Sequence, residues 1–229
     1  LLASGILTAL RVPEAMSLTA DFPAQAPEGI DLLVGLDVRA STVVDAVRLH
    51  WRAGGRETYN VTPMTARGGS ASAATIPGAE VALRGIEFYF EAVTGGRSVF
   101  SPGASPQENP WRVPVTVTES TGEGNLGTTP VTYRMLSFPA IFAENSVRAV
   151  LEDDLGAPDR STWRLGRWDP AAGKYQEHGV DGVDAWAPGR AYWLVTDQAH
   201  TLDFSGQTVF PSSGGSYALT LSPGWNQVG

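Results

Sequence analysis

Residues 85–93 read GIEFYFEAV, and this stretch carries the fold class. Ile86, Phe88, Phe90 and Ala92 alternate with Glu87, Tyr89 and Glu91, the period of two that gives an extended chain two distinct faces. The same alternation recurs on either side. Leu32, Val34, Leu36 and Val38 share one face, as do Val47, Leu49 and Trp51, and Trp111, Val113, Val115 and Val117. Between these runs stand Gly54-Gly55, Gly68-Gly69, Pro77-Gly78, Gly95-Gly96 and Pro102-Gly103, dipeptides that turn a chain. No segment of this half sustains a 3.6-residue period, so short strands in a sandwich are predicted rather than a βαβ sheet. Pro114 interrupts the last run and predicts a sheet edge or a bulge.

The order VVDAVRLHWRAGG (43–55), YNVTPM (59–64), ATIPGAEV (74–81) and GIEFYFEAV resembles the fibronectin type III or immunoglobulin-like modules of bacterial surface proteins. The resemblance spans residues 17–118. It implies a β-sandwich on an extracellular or cell-surface protein and brings no catalytic residue with it.

The second half differs in composition. Residues 119–129 (ESTGEGNLGTT) are polar and glycine-rich, and a linker is expected over 119–130. Five of the seven tryptophans (Trp163, Trp168, Trp186, Trp193 and Trp225) follow it. One short helix is predicted over 146–155, with Val147, Val150, Leu151 and Leu155 on its buried face, Ser146 as N-cap and Gly156 as its stop. Strands are expected over 161–168, 174–178, 190–195, 202–206, 208–210 and 217–221. Asp169-Pro170-Ala171-Ala172-Gly173 has the chemistry of a hairpin turn. The ordered set WRLGRWDPAAGKY, PGRAYWLV, LDFSG and LSPGWNQVG is similar to an uncharacterised Trp-rich β module of secreted bacterial multidomain proteins, to which no activity is attached. The expectation is therefore an all-β chain of tandem sandwich domains, 17–118 and 131–229, the second carrying one short helix. Residues 1–16, opening LLASGILTAL, fit the end of a signal segment or of a preceding domain, and a first residue other than Met predicts a fragment of something longer. Residues 225–229 (WNQVG) echo 133–137 (YRMLS), and an apolar end of this kind is expected to pair back into the sheet.

Composition narrows the function classes. Twenty-four acids against 16 bases give a net charge of −8, which argues against a nucleic-acid partner. With no cysteine, thiol catalysis and disulfides are excluded, and apolar runs fall short of the roughly 18 residues of a membrane span, so no membrane insertion is expected. His50, His178 and His200 lack metal-ligand spacing, and no HExxH or G-x-S-x-G occurs. Ser213-Gly214-Gly215-Ser216 reads as a loop. Glu152 with Asp154, or Asp181 with Asp184, are nominal carboxylate pairs for glycoside hydrolysis, and Asp181 and Asp184 are also weak calcium candidates. No cofactor and no enzymatic activity are expected. The sharper feature is aromatic. Trp163, Trp168, Tyr175 and Trp186, with Trp193, could form a ligand-binding face that stacks on sugars, or could fill a core. Trp163 and Trp168, five residues apart in one strand, cannot share a face. The expected role is structural, adhesive or interaction-mediating, with neighbouring domains and a protein or glycan as partners. The alternative is a carbohydrate-binding accessory region of a secreted hydrolase.

Overall fold

The computed structural model describes residues 16–103, 105–120, 127–138, 140–210 and 217–229. The segment 1–15, half of the expected linker (121–126) and the 213–216 loop lie outside the described residues. The fold is all-β with one short helix.

In chain order the first strands are β1 (Ser17–Asp21), β2 (Ala26–Pro27), β3 (Leu32–Arg39), β4 (Ala46–Ala53), β5 (Asn60–Pro63), β6 (Thr65–Gly68) and β7 (Ala71–Ile76). After them come β8 (Ile86–Thr94), β9 (Arg97–Ser101), β10 (Trp111–Val113) and β11 (Val115–Ser120). The second half adds β12 (Arg134–Leu136), β13 (Ala140–Phe142), helix α1 (Val147–Leu155), β14 (Trp163–Asp169), β15 (Lys174–Glu177), β16 (Tyr192–Thr196) and β17 (Phe204–Thr208).

Two antiparallel sheets form the first half. One has the order β1-β3-β7-β6; the other runs β10-β8-β4-β5, with β9 also on β8. The predicted alternation is realised in β3, where Leu32, Val34, Leu36 and Val38 are buried. In β8 both faces are buried. Ile86, Phe88, Phe90 and Ala92 enter the core, and opposite them Glu87 bonds Arg52 and Arg112 while Tyr89 stacks on His50 at 4.4 Å. An acid can be buried there because two guanidinium groups replace its water.

Pro114 follows an edge strand, as the sequence predicts, because β10 ends the order of its sheet. The strand breaks at it: Trp111–Val113 stays on β8, and β11 leaves for another sheet. Proline offers no N–H to a ladder, and its carbonyl accepts from Ala26 N at 2.9 Å instead. The receiving sheet has the order β13-β17-β11-β2, so it draws strands from the beginning, middle and end of the chain. Glu119 and Ser120, expected in the linker, extend β11, and Gly127 bridges Thr201. Buried apolar residues of both halves form one continuous cluster.

The fourth sheet, β12-β16-β14-β15, contributes its inner side to the same buried cluster as the apolar face of α1. The helix has the predicted ends: Ser146 Oγ accepts from Ala149 N, and Gly156 follows at φ 75°. Two strand expectations need correction. Residues 202–206 and 208–210 are not two strands but contribute to the single strand β17, and 217–221 forms no strand. The end of the chain does return beside β16, but through an isolated bridge of Val228 with Arg190 and not as a strand of the sheet. Among the described residues no helix is long and apolar enough to cross a membrane.

Candidate functional site

The outer face of the β12-β16-β14-β15 sheet is where side chains converge without being buried. In β14 the sequence WRLGRW puts Trp163 and Leu165 inward and Arg164, Gly166 and Trp168 outward. In β16 Tyr192 and Leu194 point into the core, so Trp193 points away from it. Strand register then sets Met135, Trp193, Gly166 and Glu177 side by side in one row across four strands.

Gly166 leaves that row without a wall in the middle. A Cβ at this position would meet only Gln176 O, at 3.6 Å, so the floor has room above it. The result is a groove of about 550 Å³, walled by Trp193, Tyr133 and Tyr175, with Arg164, Glu177 and Asp181 along its polar side. Tyr133 and Tyr175 are each 56% exposed.

The charges at the groove are matched to one another. Arg164 donates to Glu177 through Nε at 2.8 Å and Nη2 at 2.9 Å, and Arg160 donates to the same carboxylate at 3.1 and 3.0 Å. The Arg164 hydrogen bond, followed by the nearby guanidinium charges, outweighs partial burial and holds the Glu177 carboxyl below its ordinary value of 4.5. Asp181 accepts from Glu177 N at 3.1 Å and lies 3.6 Å from Lys174 Nζ. Such a site can offer aromatic faces and hydrogen-bond acceptors to a ligand while presenting little net charge.

The aromatic residues singled out from the sequence divide into two groups. Trp163 (4% exposed) and Trp186 (3%) belong to the core rather than to a binding face. Trp163 stacks on His178 at 5.6 Å and donates its indole N–H to Gly156 O, and Trp186 packs edge-on against Tyr192 and Phe138. Burial of two such large apolar groups helps to fill a small β domain. Trp168 and Tyr175 stay at the surface as an edge-to-face pair at 5.2 Å. Tyr175 lines the groove, and Trp168, against its ring, is not among the lining residues and donates its Nε1–H to Trp225 O. Tyr133, Arg164, Gly166 and Glu177 were not singled out. The alternation in WRLGRW held the signal for Arg164 and Gly166, but the Tyr133 and Glu177 positions depend on strand pairing.

Asp181 and Asp184 turn to different partners: the Asp184 carboxylate lies 3.4 Å from His178 Nδ1, away from the Asp181 contacts. Among the described residues no group of three or more His, Cys, Asp or Glu side chains could hold a metal ion.

No protein-family model matches the chain, and no curated protein matches it. Among solved structures it is similar, at a TM-score of 0.27 and 15% identity, to a GH family 64 laminaripentaose-producing beta-1,3-glucanase from Paenibacillus barengoltzii. That match covers 76% of this chain and 36% of the glucanase. A TM-score of this size establishes no common fold, and the activity is that of the Paenibacillus enzyme.

Proposed function

We propose that this chain is a non-catalytic interaction module of an extracellular or cell-surface bacterial protein, and that its ligand is a neutral glycan seated in the outer groove of the second half. The observation carrying this reading is the glycine-floored groove walled by Trp193, Tyr133 and Tyr175. A pyranose ring has an apolar C–H face and a rim of hydroxyls. Flat aromatic walls suit the first, and Glu177, Gln176 and the tyrosine hydroxyls suit the second. The groove volume falls in the range of small-molecule sites, roughly 300–1,000 Å³. Pairing of Arg160 and Arg164 with Glu177, and of Lys174 with Asp181, favours an uncharged ligand over an ionic one.

A glycosidase acid must hold a proton near neutral pH, which requires a raised pKa. Glu177 is shifted the other way, and this supports binding without hydrolysis. The two antiparallel sheets of the first half support its reading as a fibronectin type III-like spacer that presents the groove.

The test is a titration with neutral β-glucan, xylan, mannan and chitin oligosaccharides, read by calorimetry. At least one of them should bind. Trp193→Ala should weaken binding roughly tenfold or more, as truncation of an anchoring aromatic does. Gly166→Leu should block the groove while leaving the circular dichroism unchanged, because its side chain has open space to enter. Binding that survives both substitutions, or no binding by any of the four, would overturn the assignment.

A further inference from the structure

A second pocket, of about 200 Å³, opens where β14 outruns its partner β16. Pairing of the two strands ends at Gly166 with Trp193, and the last residues of the chain take over from there. Trp168 N donates to Gln227 Oε1 at 3.0 Å, and the Trp168 indole donates to Trp225 O at 2.9 Å. Arg167, Asp169, Arg190, Ser222 and Gln227 line the space so formed, together with Trp168.

The donors there exceed the acceptors. Gln227 is only 9% exposed, and the bond from Trp168 N fixes which end of its amide is oxygen. Its Nε2 is buried and has no hydrogen-bond partner among the described residues. Leaving a buried N–H unmet is costly, so this atom calls for an acceptor. Among the described residues Arg167 makes no side-chain hydrogen bond or ion pair, and the Arg190 side chain makes one hydrogen bond, from Nη2 to Thr220 O. The pocket's one carboxylate is already occupied. Asp169 Oδ1 accepts from Ala171 N and Ala172 N in the hairpin turn, and Oδ2 accepts from Gln176 Nε2. Two guanidinium groups, an orphaned amide donor and a committed acid leave the pocket short of negative charge and of acceptor oxygens.

We infer that this pocket binds an oxyanion, either free or as the sulfate ester of a sugar. It is separate from the neutral groove and does not depend on the reading of that groove. The three donors come from β14, from the residues preceding β16 and from the C-terminal segment, so an anion bound here ties these segments together.

Three probes separate the sources: inorganic sulfate, glucose 6-sulfate and unmodified glucose, titrated into the 229-residue chain and followed by ¹H–¹⁵N NMR at the Gln227 side-chain amide and the Trp168 indole. Sulfate should shift both signals saturably. Arg167→Gln should weaken this roughly tenfold, the loss expected for one charge-assisted hydrogen bond. Arg97→Gln, which removes the same charge from a distant hairpin, should leave it unchanged and controls for bulk electrostatics. A tighter glucose 6-sulfate supports an anion carried on a sugar, and equal affinity supports a free anion. The inference fails if neither sulfate probe saturates, or if Arg167→Gln and Arg97→Gln respond alike. Arg190→Gln gives the same reading should Arg167→Gln not fold.

Discussion

Val131 sits at φ 55° with its side chain 81% exposed, so the left-handed backbone there is not offset by any packing of the isopropyl group. A β-branched residue in that region is strained, and its N–H is already committed to Thr196 O at 2.8 Å. Asparagine tolerates the same conformation and keeps the N–H. Val131→Asn is therefore expected to stabilise the protein by about 1 kcal/mol, measured as a higher midpoint in urea with an unchanged slope. Two glycines make the complementary point. Gly166 is small because a groove lies above it; Gly85 is small because φ is 70° and a Cβ would stand 2.4 Å from the Phe210 ring. Composition alone gives both the same letter.

At the scale of the element, α1 is well started and poorly ended. Ser146 caps its first turn, but the last turn carries Glu152, Asp153 and Asp154 and no base, where the helix dipole disfavours anions. Partial burial, with repulsion from Asp203 and Asp153, raises the Asp154 pKa above its ordinary 3.8, although Asp203 N donates to it at 2.9 Å. A carboxyl that holds its proton more tightly when folded costs stability as pH rises through 3.8 to its shifted value, and the cost persists above that. Asp154→Asn removes the charge and keeps an oxygen for Asp203 N. It should raise stability by about 0.5 kcal/mol at pH 7, with the advantage gone below pH 3.8. Glu177 has the opposite sign. Its lowered pKa contributes stability that is complete above 4.5 and is lost as pH falls further. The pH profile of Asp154→Asn minus wild type isolates the first effect from the second.

At the scale of the molecule, the consequential element is β11. Its partner on one side is β17, from the far end of the chain, and on the other β2, from the beginning. Thr208 Oγ1 joins the two halves at a buried point, accepting from Val115 N at 2.8 Å and lying 3.2 Å from Val115 O. Because a sheet and a continuous core cross between the halves, we expect a single cooperative unfolding transition, coincident by tryptophan fluorescence and by circular dichroism. Thr208→Val, similar in shape but without the hydroxyl, should lower stability by roughly 1–3 kcal/mol and leave the transition single. Two separated transitions in the unaltered chain would mean that the shared strand does not couple them.

Alternation and turn dipeptides were enough to determine the all-β class, the inward faces of β3, β4 and β8, the helix with both its ends, and the Asp169–Gly173 hairpin. Each of these depends on residues close in sequence, where the period of the chain and the chemistry of caps and turns act directly. Long-range pairing decided the rest. Nothing local in PVTVTES indicates that β11 abandons its own sheet at Pro114 for a partner about ninety residues away. Nor does any local signal separate the tryptophans that fill the core, Trp163 and Trp186, from Trp193, which faces the groove. Side-chain size and apolarity are the same for all three. What differs is which side of β14 and β16, and of the segment carrying Trp186, faces the core, and that is a property of the assembled fold.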